Sequence, residues 1–329
     1  MRSRTANPDL ADQLYVVEAK GLSAAAALDL LTQREPAAAV ELRKGDAMTR
    51  HRWVLDLRRR GLLGPRQTPR WPEAMGVEAL AERLRTAGVR LAWRGGPGYP
   101  ERLTASMGPA APTWCWLAGD PARLSGLSCA IVGSRKAGVR WIEATRRLAS
   151  ALAASGVTVV SGLAAGVDMA AHRGAAGHHR GTVGVPACGV LKVDPGSAGM
   201  PGDRVTYLAL DRPEAPFSAG LALRRNDVIA AFGGAVVLAA SGLRGGSTYA
   251  VKWALAHGRP LWCFDDGRHT PSGNRSLLHG GRARPLPLDW PPEQWAHAIG
   301  ASLTDAGRAP EQPGCTQPDL LEGADQSAR

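Results

Sequence analysis

Short apolar runs alternate with amphipathic helical segments throughout the second half of the chain. The apolar runs are Cys129–Gly133, Val157–Val160, Gly181–Cys188, Val205–Leu210, Ala235–Ala240 and Pro260–Phe264. Between them, apolar residues recur at helical spacing in Val139–Ser155, from near Asp168, in Leu221–Phe232 and in Thr248–His257. Alternation of this kind predicts an α/β fold, a doubly wound and mostly parallel sheet with crossover helices over residues 127–286.

The flanking parts of the chain follow other patterns. Residues 1–90 predict a smaller helical region, with helices over Ala24–Leu31, His51–Leu63 and Glu73–Ala87. Residues 91–126 are rich in Pro, Gly and Trp, which favours a connector that packs on the next domain, with one short strand at Trp114–Leu117. Residues 287–329 predict a short helix over Pro291–Leu303 and, after Thr304, a polar and disordered tail.

Three turns rich in small residues come directly after predicted strands. They are Gly133-Ser134-Arg135, Ser161–Gly166 and Ser241–Thr248. Because parallel strands end at the same edge of a sheet, and open sheets bind ligands there, we expect these turns to lie together. Glycines let backbone N–H groups approach an oxyanion, and helix N-termini add partial positive charge. The pattern favours an anion-binding site, although any α/β fold also uses glycine in tight turns.

Hydroxyl groups and two arginines sharpen this hypothesis. Ser134, Ser161, Ser241 and Thr248 supply donors in the turns. Arg135 and Arg225 can neutralise a phosphate, bidentately where geometry allows. An arginine directly after the first turn is not needed for the turn itself, so a phosphate site is favoured.

Composition adds a modest preference for phosphate-rich partners. The 329 residues carry a formal net charge of +11, which suits nucleic acid or nucleotides, although arginines scattered over a surface need no partner. The five cysteines are odd in number and widely spaced, which fits a reducing cytoplasm rather than a disulfide framework. Neither a secretory leader nor a membrane-spanning run is present in the pattern.

Several common chemistries lack their motifs. The first turn has neither the GxGxxG dinucleotide pattern nor a GxxxxGK[ST] phosphate loop, so NAD binding and ATP hydrolysis are disfavoured. The histidines do not form a metal spacing, and we expect no metal, cofactor or catalytic residue. Asp168 and His172 lie four residues apart on one helix face. We interpret them as structural support of the site, with acid–base chemistry as the alternative.

Several of these residues resemble a known family. Gly133-Ser134-Arg135, then Ser161–Asp168 with Ala171-His172, closely resemble the DNA-processing protein A (DprA/Smf) family. Similar to it as well are Gly98–Leu103, Arg225-Asn226 ahead of Val228–Ala231, and Ser241-Gly242 with Thr248. The resemblance covers residues 88–286, and the segment Ser161–His172 is its most specific part.

The resemblance implies a Rossmann-like domain and a function. A member of this family binds single-stranded DNA, forms a homodimer and helps to load RecA during natural transformation and recombination. It has no catalytic group. The residues that would bind DNA phosphates are Gly133, Ser134, Arg135, Ser161, Gly162, Gly166, Arg225, Asn226, Ser241, Gly242 and Thr248.

The chain departs from the family pattern at three places. Asp227 follows Asn226 where the family has arginine, and we expect this carboxylate to offset part of the charge of Arg225. The segment after Cys188 is shortened, and Asp265-Asp266-Gly267 replaces a proline-glycine. No winged-helix domain is predicted after the sheet.

Two alternative functions remain open. A nucleotide-sensing module of the same fold would use the same pocket. A nucleoside-monophosphate phosphoribohydrolase is disfavoured, because Gly245-Gly246-Ser247-Thr248 is not followed by the glutamate that glycosidic cleavage needs.

Overall fold

The computed structural model describes residues 9–32, 37–194 and 202–305. The α-helices are α1 (Leu10–Val17), α2 (Ala24–Thr32), α3 (Ala37–Lys44), α4 (Ala47–Arg59), α5 (Ala74–Thr86), α6 (Glu101–Met107), α7 (Val139–Ala154), α8 (Val167–Ala175), α9 (Ala219–Phe232), α10 (Ser247–Ala256), α11 (Ser272–His279) and α12 (Pro292–Asp305). The strands are β1 (Val89–Trp93), β2 (Trp114–Ala118), β3 (Ser128–Val132), β4 (Thr158–Ser161), β5 (Thr182–Gly184), β6 (Val205–Ala209), β7 (Ala235–Leu238), β8 (Leu261–Asp265) and β9 (Arg284–Pro287).

The strands of the described chain form one nine-stranded sheet in the order β1-β2-β6-β5-β4-β3-β7-β8-β9. Strands β3 to β9 pair in parallel, and β2 pairs antiparallel with both β1 and β6. From β3 the chain steps outward to β6, then returns to place β7 on the other side of β3. This confirms the predicted doubly wound α/β fold. It also puts the topological switch point, where such sheets bind ligands, between β3 and β7.

The central strands are apolar on both faces because helices cover both faces. Cys129 and Ile131 of β3 pack with residues of α7, α8 and α12, whereas Ala130 and Val132 pack with residues of α9 and α10. Successive strand residues point to opposite faces, so a strand covered on both sides has no polar face to show. The uninterrupted apolar runs in the sequence reflect this burial.

The N-terminal helices cover the outer part of the sheet. Apolar side chains of α1 to α5 form one cluster with Leu91 and Trp93 of β1, Trp116 of β2 and Tyr207 of β6. The buried Arg43 of α3 donates to Asp12 of α1 at 2.6 Å and to Glu78 of α5 at 2.5 Å. A buried cation needs such partners, and here they tie three helices together.

The interpretation of residues 91–126 as a connector needs correction. Most of β1 and all of β2 lie in this segment, and β2 pairs with β6 over Trp116–Ala209 to Ala118–Tyr207, so the segment is part of the sheet. Its prolines mark element boundaries instead of irregular chain. Pro100 precedes α6 and Pro109 lies in a 3-10 helix.

Other details differ from the expectations in smaller ways. Helices α1, α3, α6 and α11 and strand β9 were not predicted, and the expected strand over 181–188 is only Thr182–Gly184. The predicted C-terminal helix is α12, which packs on α7. The tail after Thr304 lies outside the described residues, apart from Asp305. Within those residues no helix is both long and apolar enough to cross a bilayer.

Candidate functional site

The three small-residue turns lie side by side at the carboxyl edge of the sheet. They follow β4, β3 and β7, which are consecutive in the sheet. The helices after these turns, α7, α8 and α10, have Gly138, Gly166 and Gly246 as their N-cap residues, so no side chain caps them. Uncapped N-termini leave backbone N–H groups and partial positive charge at this edge. The arrangement suits an anion.

The first two turns are locked together by close backbone contacts. The Val167 N–H donates to Ser134 O at 3.2 Å, and the Ser134 N–H donates to Ala240 O at 2.7 Å. Gly166 has a φ of +83°, and a Cβ there would lie 2.7 Å from Arg135 O. A Cβ on Gly133 would lie 2.7 Å from the Val167 side chain. Glycine is therefore required by space at both positions, and at Gly166 by conformation as well.

Arg225 occupies the centre of the site. It reaches from α9 across Gly162, where an added Cβ would overlap the guanidinium group. Its Nη2 lies 3.5 Å from Asp168 Oδ2, and both residues are only 6% exposed. Its Nε has no hydrogen-bond partner among the described residues. Arg225 thus keeps much of its donor capacity unused while it lines the pockets described below.

Burial and charge set the protonation of this pair. Burial lowers the pKa of Arg225, Asp168 raises it, and the nearby Arg135 lowers it further. Arginine nevertheless stays charged, because its ordinary pKa is so high. Burial raises the pKa of Asp168, against the opposing effects of Arg225, the Ala164 N–H and the Ser161 hydroxyl. The single 3.5 Å contact with Asp168 leaves other N–H groups of Arg225 able to donate to a second anion.

Ser161 and His172 lie beneath the site rather than in it. The Ser161 hydroxyl donates to Ile131 O at 2.6 Å and is fully buried, so the structure places this predicted binding residue inside the sheet. His172 contacts Gly162 O through Nε2 and Thr182 Oγ1 through Nδ1, the latter at 2.9 Å. Its burial lowers the pKa to about 4, so the ring is neutral near pH 7.

The third turn is held by side-chain hydrogen bonds. Asn226 Nδ2 donates to Gly246 O at 2.8 Å, and the Ser241 and Ser247 hydroxyls are 3.0 Å apart. The Thr248 hydroxyl donates to Gly245 O at 2.5 Å and faces away from the Arg225 pocket. Asn226 and Ser241 therefore hold the turn and also line the pocket between the turns, whereas Thr248 lines a neighbouring cavity. Gly242 is exposed, and a Cβ there would meet nothing closer than 3.9 Å.

Asn274 anchors this turn and was not predicted from the sequence. It is fully buried on α11. Its Nδ2 donates to Leu238 O and Ala239 O at 3.1 Å and to Phe264 O at 3.2 Å, and its Oδ1 accepts from the Ser241 N–H at 3.0 Å. The only sign of Asn274 in the sequence is its position ten residues after the last predicted strand, Pro260–Phe264.

The expectation for Asp227 was wrong. Arg225 faces Asp168 and Arg135, and Asp227 makes no ion pair with it. Asp227 is half-buried, its pKa is raised by burial, and the charge that opposes this rise is His257 at the end of α10. Residues two apart on a helix point about 200° away from each other. The carboxylate therefore lies on the other side of α9 and leaves the charge of Arg225 intact.

Two adjoining pockets form a groove along this edge. The smaller, about 370 Å³, lies between the three turns, and the larger, about 670 Å³, extends past β4 and β5. Arg135 and Arg225 line both pockets. The larger also contains Arg173 and Lys192, and the smaller contains the exposed Arg244. Nothing in the sequence pattern singles out these three cations, because only the folded chain brings them beside the turns.

The family of the protein is shown by its similarity to known proteins. A family model described as DNA recombination-mediator protein A matches residues 90–287, more than half of the chain. The chain belongs to this family. The match runs from β1 to β9 and so takes in the sheet and all three turns of the site. The extent of the DNA recombination-mediator protein A match agrees with the resemblance predicted over residues 88–286.

Curated relatives of this family match part of the chain. The putative DNA processing protein DprA of Mycobacterium tuberculosis H37Rv is 35% identical over 156 residues, which cover 45% of this chain and 40% of the relative. Protein Smf of Escherichia coli K12 is 29% identical over 177 residues, which cover 50% and 45%. Each match spans less than half the length of the relative.

Two solved structures share the fold. The X-ray structure of DNA processing protein A from Streptococcus pneumoniae has a TM-score of 0.59 and 20% identity over 90% of this chain and 94% of that one. A structure of DNA processing protein A from Helicobacter pylori, reported for its single-stranded DNA binding mode, has a TM-score of 0.56 and 21% identity over 65% and 96%. Both confirm the Rossmann-like fold.

Proposed function

We propose that this protein binds single-stranded DNA along the groove at the carboxyl edge of its sheet, as an accessory protein of DNA processing and recombination. The observation that carries the proposal is Arg225, a buried cation that lines both pockets and whose guanidinium Nε has no hydrogen-bond partner within the described part of the chain. Strand phosphates would supply the missing acceptors. Family membership and the Helicobacter pylori relative support the choice of ligand.

The groove offers what a flexible strand needs. Arg135, Arg173, Lys192 and Arg244 are spread along it and can track successive phosphates. Phe217 also lines the larger pocket and is 64% exposed, so its ring is available for base stacking. A row of separate cations with an exposed aromatic ring is the combination that sequence-tolerant single-strand binding uses.

We propose that the site binds the strand without cleaving it. Asp168 is the carboxylate among the residues that line the smaller pocket, and it is buried against Arg225. Because Arg225 engages this carboxylate, we give Asp168 a supporting role instead of acid–base chemistry. By family resemblance the proposal extends to a homodimer, to RecA as the partner and to the cytoplasm as the location.

The test is a binding series with a single-stranded oligonucleotide, its duplex and a mononucleotide, measured by fluorescence anisotropy at several salt concentrations. Wild type should prefer the single strand. Arg135→Ala should weaken binding about tenfold, through loss of a charge-assisted contact, and should make the salt slope shallower by about 0.7. Arg66→Ala is the matched control, because Arg66 is exposed and lies in the N-terminal region.

Each arm of the series has an outcome against the proposal. Equal single-strand binding by wild type and Arg135→Ala contradicts the assignment of the groove. Tight mononucleotide binding without oligonucleotide binding supports the nucleotide sensor instead. Release of free base from a nucleoside monophosphate supports the phosphoribohydrolase.

A further inference from the structure

A second basic pocket lies at the opposite, amino-terminal edge of the sheet. It has a volume of about 860 Å³ and lies between α6, the 3-10 helix Pro121–Leu124 and the turns that lead into β3 and β8. Two arginines line it, Arg102 of α6 and Arg259 just before β8. The carboxyl-edge groove is separated from it by the length of the strands, about 17 Å for five residues.

The two arginines line the same pocket and carry like charges. Neither makes an ion pair with a described residue. Arg102 donates to Gly126 O at 2.5 Å, and Arg259 donates to Ser106 Oγ. Burial lowers the pKa of both, and for Arg259 the charge of Arg102 lowers it further. Glu101 also lines the pocket, but it is exposed and pairs with neither arginine.

The surroundings hold both guanidinium groups in place. The Arg259 guanidinium carbon lies 6.0 Å from the centroid of the Trp253 ring. A third cation supports the wall, because Arg180 Nη2 donates to Ser125 O at 2.8 Å, next to the carbonyl that Arg102 uses. Two half-buried like charges repel each other, so their proximity costs free energy unless an anion lies between them. Fixed, unpaired guanidinium groups are also the geometry that recognises phosphate.

We propose that Arg102 and Arg259 form a second phosphate-binding site at the amino-terminal edge of the sheet. The ligand is a phosphate group, either of a nucleic-acid strand or of a small phosphorylated compound. The site is independent of the carboxyl-edge groove, because the two share no lining residue.

Inorganic phosphate is the first probe. The thermal unfolding midpoint of wild type and of Arg102→Gln/Arg259→Gln is measured in chloride and in phosphate at matched ionic strength. The midpoints in chloride set the baseline, because the double variant loses the repulsion and also the hydrogen bonds to Gly126 O and Ser106 Oγ. Phosphate should stabilise wild type more, with binding to the double variant about tenfold weaker. The control Arg66→Gln/Arg90→Gln removes the same charge from exposed positions.

Two further arms identify the source and separate this site from the proposed function. If the double variant also lowers affinity for a single-stranded oligonucleotide, the phosphate belongs to a strand that reaches both edges. If only the response to inorganic phosphate or a mononucleotide falls, the ligand is a small compound. A phosphate response equal to wild type overturns the site. Loss of oligonucleotide binding in Arg135→Ala reports on the other edge alone, so either proposal can fail without the other.

Discussion

The two walls of the carboxyl-edge pocket are built by different means. The first wall, formed by the turns after β3 and β4, is fixed by close contacts at three glycines that leave no space for a side chain: Gly133 against Val167, Gly162 against the Arg225 guanidinium, and Gly166 against the backbone of Ser134 and Arg135. The second wall, formed by the turn after β7, has open glycines of its own, although Gly273 of α11 packs against its backbone, and it is held by hydrogen bonds from Asn226 and Asn274. The pocket thus has one wall fixed by close packing at glycines and another wall held mainly by side-chain hydrogen bonds.

This difference has a physical consequence. In the first wall, neighbouring atoms lie directly against the glycines, so a small displacement of either turn would cause a steric clash. A wall held by amide side chains depends on a few buried hydrogen bonds, each of which can be removed singly. The first wall should therefore respond to added atoms, and the second to lost hydrogen bonds.

The largest effect is expected at the tethered wall. Asn274→Ala would leave Leu238 O, Ala239 O, Phe264 O and the Ser241 N–H without this partner. Buried polar groups left unpaired are costly, so the free energy of unfolding should fall by roughly 4 kcal/mol. Denaturant unfolding measures this. A loss below about 1 kcal/mol would mean that the turn is held by something other than Asn274.

Protonation should loosen the packed wall from beneath. The pKa of buried His172 is lowered from 6.5 to about 4, so the unfolded chain takes up this proton at a higher pH than the folded chain. Stability from this residue is complete above pH 6.5 and is lost as the pH falls towards 4, by roughly 3 kcal/mol in all. The pH dependence of urea unfolding checks this.

A matched pair of histidine variants isolates that contribution. His172→Gln should flatten the stability curve over this pH window. His51→Gln changes an exposed histidine of α4 and should leave the curve as in wild type. An unchanged slope in His172→Gln would show that other groups cause the acid sensitivity.

A smaller effect, on binding instead of folding, is expected from one methyl group in the packed wall. A Cβ on Gly162 would overlap the Arg225 guanidinium, so Gly162→Ala should displace Arg225 and weaken single-strand binding by roughly 2 kcal/mol, about 30-fold. Gly242→Ala adds the same methyl group to the open wall and should leave affinity within about twofold. Equal losses in the two variants would abolish the distinction between the walls.

Much of the fold follows from local patterns. The apolar runs of β3, β4, β7 and β8 and the helices between them are marked by period and by glycine, and their order places three turns at one edge. The pairing of β2 with β6 is different, because it joins residues about ninety positions apart whose register depends on the completed sheet. No local sequence pattern predicts the pairing of β2 with β6, and the prolines that precede β2 favour irregular chain instead of a strand in the sheet.

The site was predictable to a similar degree. Arg135, Arg225 and the glycines stand out by residue type beside the strand ends. The position of Ser161 could not be predicted, because its hydroxyl donates to Ile131 O on the adjacent strand and only the assembled sheet brings these two groups together. The orientation of Asp227 follows from helix geometry, because two residues of helical rotation turn its side chain away from Arg225. Asn274 could not be assigned, because its four partners belong to three other segments.

Photochemical cross-linking of a single-stranded oligonucleotide to the full chain, followed by mass spectrometry, tests the central claim most directly. The account predicts cross-linked peptides that contain Gly133–Lys136, Phe217 and Gly242–Ser247, which are the two walls and the exposed ring beside them. Cross-links confined to the N-terminal helices α1 to α5, with none at these segments, would contradict it.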